Sequence, residues 1–229
     1  MKKILFAFAV MLGVATMAQS TWGVYLETSD AIVAKDYAKA LAILKADEKG
    51  SKEGGYYKFV EALAAGQKPE IKGELAARAI GYAVCEGVDN GYTRDEVRNW
   101  YKNATTSINT IPLLIRKGLF TPAEAFAIVD AGKGWVSVST YFVLRNLAKN
   151  TTSDALGYCK GIVEARKVKA AEVKTIVDEL NKLPTIDIEK YKAMLQFINR
   201  RYSSMLLDDK TKADWEPVIA LVRTTLSTL

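Results

Sequence analysis

The hydrophobic positions of this chain recur mostly at helical spacing, three and four residues apart, rather than in alternation. After Thr93 they fall at Val97, Trp100, Tyr101, Ala104, Ile108 and Ile111, one face of a helix. The same punctuation opens two runs: Gly91-Tyr92-Thr93-Arg94-Asp95-Glu96 and Gly118-Leu119-Phe120-Thr121-Pro122-Ala123-Glu124. In each, a glycine suits the left-handed residue that ends a helix. Thr-x-x-Glu then supplies a capping box, with the apolar Tyr92 or Phe120 just before it as a staple against Val97 or Ala125. Val168-Lys169-Ala170-Ala171-Glu172 aligns as a degenerate third copy, because a lysine cannot cap as threonine does.

The rest of the chain follows this grammar. Residues 19–26 are ambiguous, with Trp22, Val24 and Leu26 alternating like a short strand. A helix starts at Asp36 and ends by Gly50; Tyr56 to Ala65 is the next, stopped by Gly66. Pro69 is expected to open a longer helix through about Asp89. Trp135 to Asn150 has helical spacing after β-branched Val136 and Val138, and Thr151 to Asp154 offers caps for the helix holding Cys159. Asp187 caps the run through Tyr202; Asp208-Asp209-Lys210 reads as a loop, with Asp214 capping the last helix. No hairpin signal and no βαβ alternation occurs. The expected fold is all-α, an antiparallel helical-hairpin array or irregular multi-helix bundle of about nine to eleven helices.

The motif Asp36-Tyr37-x-x-Ala40-Leu41 resembles the second helix of a tetratricopeptide repeat over about a dozen residues. Leu44 stands where that family has a large aromatic and Asp47 where it has a small residue, and no neighbouring repeat follows. No peptide-binding residue carries over.

Residues 1–18 read as a signal peptide: Lys2-Lys3, an apolar run from Ile4 to Gly13, and Thr16-Met17-Ala18 as a small-residue cleavage site. Periplasm or secretion is the expected address. Residues 19–229 are expected to form a single all-α domain, with a weak division near 149–153. Of the net charge of +6, Lys2 and Lys3 contribute 2, leaving +4 on the remainder, which is mild and dispersed. Nucleic acid is not an expected partner, and no membrane-spanning segment is expected after removal of the signal.

Histidine is absent, which removes Ser-His-Asp and Cys-His catalysis. Two cysteines, Cys85 and Cys159, are a disulfide candidate in an oxidising compartment, against the alternative of two separate buried thiols. No metal site and no cofactor is expected. Carboxylates are the remaining catalytic vocabulary. Glu86, near the end of an apolar helix, has the setting of a general acid on a glycosidic bond, as in helical wall-lytic enzymes, against the plainer reading of a solvated glutamate. In Tyr56-Tyr57 and Trp100-Tyr101, neighbours point about 100° apart, so one ring of each pair is expected to reach the surface as a binding face. The leading expectation is an exported protein-binding or scaffold module of the bacterial cell envelope. The alternatives are cell-wall glycan as partner and a glycan-cleaving enzyme using Glu86.

Overall fold

The computed structural model describes residues 18–46 and 55–229. The signal segment and Gly50 therefore lie outside the described residues, except that Ala18 opens the first helix. The fold is all-α. Among the described residues there are twelve α-helices, one short 3-10 helix and no strand. A single parallel bridge joins Ser107 to Trp135. The chain divides into two compact units, residues 1–135 and 136–229. The boundary between these units falls after Trp135.

The first unit holds seven described helices: α1 (Ala18–Val33), α2 (Tyr37–Ala46), α3 (Gly55–Ala64), α4 (Glu74–Cys85), α5 (Arg94–Asn103), α6 (Ile111–Arg116) and α7 (Pro122–Asp130). The ambiguous stretch 19–26 is helical. Helix α4 is the centre, packed by α1, α3, α5 and α6. It can be central because residues 76 to 83 are all buried, from Ala76 through Ile80 to Ala83. Gly81 permits the close approach of α6; a Cβ there would stand 2.8 Å from a Leu114 methyl.

Helix α4 is shorter at both ends than the sequence suggests. It starts at Glu74, because Gly73 at φ +85° breaks the backbone before it, so Pro69 to Lys72 are not helical. It stops at Cys85, followed by Gly87 at φ +75°; Gly91 is left-handed as expected, at φ +83°, but lies beyond the end of the helix.

The two expected capping boxes are complete. Thr93 Oγ1 accepts from the Glu96 N–H at 3.2 Å, and Glu96 accepts from the Thr93 N–H at 2.7 Å. Thr121 and Glu124 repeat this at 3.2 and 2.8 Å. The staple rings find larger partners than foreseen: Tyr92 lies against Phe59, and Phe120 meets Tyr101 edge-on at 5.7 Å.

The second unit holds α8 (Val138–Leu147), α9 (Ala155–Ala165), α10 (Ala170–Leu180), α11 (Ile188–Tyr202), a 3-10 turn (Ser203–Leu207) and α12 (Asp209–Thr228). Helix α12 packs on α10 and α11, and α9 bridges α10 and α11. Asp154 and Asp187 cap as expected, at 2.8 and 3.0 Å. The last helix begins earlier than the sequence implies. Asp208 is its cap, Asp209 and Lys210 are helical, and Pro217 sits inside the helix. Among the described residues no helix is long and apolar enough to cross a membrane.

Candidate functional site

A groove of about 690 Å³ runs along α5 in the first unit. Its helical wall is the stripe Glu96, Asn99, Trp100 and Asn103, residues three or four apart with the indole set beside them. Its other wall is the non-helical strip 68–73. Burial alternates along that strip: Ile71 is buried, whereas Glu70 and Lys72 are exposed. Among the described residues the backbone N–H groups of Glu70, Ile71 and Lys72 meet no protein acceptor.

Side chains of α5 and the turn before it hold the strip in place. The Tyr92 hydroxyl donates to the Pro69 carbonyl. Lys68 pairs with Glu96 at 2.6 Å and lies 5.2 Å from the Tyr92 ring centroid. Glu96 therefore closes the capping box and anchors the groove wall at once. This pairing, with the box N–H, holds its carboxyl below the usual range. Lys72 and Glu70 also pair, at 3.5 Å. These cations and carboxylates offset one another, which leaves amides, hydroxyls and one aromatic face to make contacts. At the far end are Thr105 and Thr106. The Thr106 carbonyl accepts from the Trp135 N–H at 3.3 Å, and the Trp135 indole is 57% exposed.

Behind the groove lies a set of buried, hydrogen-bonded polar side chains. Tyr101 is fully buried, bonded to Thr110 Oγ1 at 2.7 Å, and edge-on to Trp100 at 5.0 Å. The Glu74 carboxylate accepts from the Thr110 N–H and, at 3.3 Å, from Ser107. Burial pushes the Glu74 carboxyl above its ordinary value, partly opposed by those bonds. Arg78, four residues on, is fully buried and donates to the Tyr25 carbonyl and to Ser29 Oγ at 2.9 Å.

The aromatic pairs divide unequally. Trp100 lines the groove, half-buried, whereas Tyr101 belongs to the core. Tyr56 lies away from the groove, edge-on to Tyr25 at 6.1 Å; its hydroxyl is buried, and burial pushes it up to about 12. Tyr57 is half-buried and also outside the groove.

Glu86 is the C-cap of α4, exposed, and paired with Lys117 at 2.6 Å. The carboxylate thus faces solvent beside an ammonium group, at the surface end of α4 rather than in an apolar pocket. Cys85 and Cys159 are both free thiols, one in each unit. Burial raises both, Cys159 to about 12, which disfavours the nucleophilic thiolate. Among the described residues no cluster of three metal-ligating side chains occurs.

Sequence reasoning missed Tyr92, Asn99, Asn103 and the strip 69–72 as one site. The polar stripe 96/99/103 beside Trp100 was a visible signal. The strip was hidden by reading Pro69 as a helix start. No family model, curated protein or solved structure matches the chain.

Proposed function

We propose that this is an exported, non-enzymatic helical module that binds an extended segment of a partner protein in the groove along α5. One observation carries the reading: a half-buried indole faces a strip whose backbone N–H groups are unpaired among the described residues. Unpaired main-chain groups beside a side-chain pocket favour an added strand, in which backbone bonds give affinity and the pocket gives selectivity. Trp100 is the anchor, Asn99 and the Thr105-Thr106 pair supply adaptable hydrogen bonds, and the buried Tyr101 holds the indole in place. The balanced Lys68–Glu96 and Lys72–Glu70 pairs favour a partner segment of low net charge. The export part is supported by the signal-like pattern of residues 1–18, which favours the periplasm or the outside of the cell.

The test combines cell fractionation, crosslinking and hydrogen exchange on the purified complex. A photo-crosslinker at Lys72 is expected to capture a protein in the envelope fraction. Partner binding is expected to protect the amides of Glu70, Ile71 and Lys72. Trp100→Ala is expected to weaken capture by about tenfold or more, while Glu86→Gln leaves it unchanged. Capture of glycan alone, or capture indifferent to Trp100, would sink the reading.

A further inference from the structure

A second cavity, about 860 Å³, lies wholly within the 136–229 unit, between the start of α10 and α12. Its floor is apolar. Trp215 stacks on Tyr202 with centroids 4.5 Å apart and planes 9° from parallel. Met205, Pro217 and Leu221 extend the wall along α12 and the 3-10 turn. Val168 closes one side, held by its N–H donating to the Tyr202 hydroxyl at 3.0 Å.

The cavity is electrically lopsided. Lys167 and Lys169 line one mouth, and among the described residues neither forms an ion pair. Helix α10 starts at that mouth without a side-chain cap, because Lys169 occupies the cap position and offers no acceptor. The partial positive charge of a helix start therefore adds to two ammonium groups. Two of the three nearby carboxylates are already engaged, and the third lines the α12 wall. Glu172 is held by Arg166 at 2.6 and 3.1 Å, reaching the Lys169 N–H only at 3.4 Å. Asp178 is paired with Lys174 at 2.5 Å, and Asp214 stands on the α12 wall.

We propose that this cavity binds a single-chain anionic amphiphile, a long-chain carboxylate. Its hydrocarbon would lie on the Trp215 floor and its head between Lys167, Lys169 and the start of α10. The volume falls in the range of small-ligand sites, which combine an apolar lining with a few polar groups that fix orientation. The deepest apolar groups, Trp215 and Val168, are recessed and buried, which suits a narrow chain better than the broad face of a partner helix. Charge complementarity selects the head, since two unpaired ammonium groups beside an apolar channel favour a tail that ends in an anion. The inference is independent of the α5 groove.

Calorimetric titration of the full chain with dodecanoate, below its micellar concentration, tests this. The expected result is one molecule per chain, bound about tenfold more tightly than dodecanol, with acetate inert. Lys167→Gln/Lys169→Gln should bring dodecanoate to the affinity of dodecanol. Leu221→Trp, which fills the tail channel, should abolish binding of both. Circular dichroism checks that each variant keeps its helix content; the lysines are exposed, so the double variant is expected to fold. No binding, equal affinity for acid and alcohol, acetate binding as strongly as dodecanoate, or indifference to the lysine pair would each overturn the proposal.

Discussion

Tyr101 and Trp100 are neighbours in sequence and opposites in role. The Tyr101 hydroxyl is bonded to a Thr110 hydroxyl that is itself buried. Tyr101→Phe should cost about 1–3 kcal/mol, because it leaves a buried hydroxyl without its partner. Urea unfolding would show it, with groove binding intact in the folded fraction. Trp100→Ala should do the reverse, sparing most stability and losing the partner. Glu74 makes a different residue-scale claim. Its carboxyl is raised by burial, so the fold favours its protonated form. That contribution is full below the unfolded value near 4.5 and fades as pH rises through the folded one. Glu74→Gln should flatten the fall in unfolding free energy over that rise; an unchanged slope would count against the assignment. Which tyrosine or tryptophan faces outward was not legible in the pattern. Adjacent residues on a helix differ by about 100°, but only the position of Phe120 and Thr110 decides which of the two is enclosed.

At the scale of elements, three glutamates do the same double work. Glu96 takes Lys68, Glu124 takes Arg98 and Glu172 takes Arg166, each while accepting the N–H at the start of its own helix. The third start lacks the capping hydroxyl, yet keeps the glutamate and its arginine. Thr93→Ala and Thr121→Ala should each cost about 1 kcal/mol. Lys169→Thr should gain about 0.5–1 kcal/mol by completing the third box, at the expense of the amphiphile site. Thermal midpoints would decide both. These glutamates titrate below their ordinary value: Glu96 through Lys68, Glu124 through the Thr121 N–H, Glu172 through Arg166. Their stabilisation is present above the unfolded value of 4.5 and is lost as pH falls below it. Glu172→Gln should therefore make the protein less sensitive to acid between pH 4.5 and the depressed folded value. The sequence announced the caps because a box is a local code over four residues. It misplaced the ends of α4 and α12, because Gly73 and Asp208 act through backbone conformation and through a cap that competed with Asp214.

For the whole molecule, the helical class was written in the spacing of apolar residues, whereas the division at Trp135 was not. Gly132-Lys133-Gly134 lies just before it, but two glycines mark a turn as readily as a boundary; the division emerges from which helices pack together. The 136–229 unit has its own core, including Val173, Ile176, Leu195, Ile198 and Val222. A fragment of residues 136–229 is expected to unfold cooperatively, with helical circular dichroism and a sharp urea transition. Both thiols are free, so adding a reductant should leave the melting temperature of the full chain unchanged. A drop would show a disulfide in the native protein.

Arg78 carries a consequence for the order of folding. Its guanidinium reaches Tyr25 and Ser29, 53 and 49 residues earlier in the chain. Closing a loop of that length costs chain entropy before any contact repays it. The local helices of the first unit should therefore form ahead of the docking of α1 onto α4, and the transition state should be crossed with that seam still open. Ser29→Ala is then expected to speed unfolding and leave the refolding rate nearly unchanged, a kinetic signature that a stopped-flow chevron would read directly.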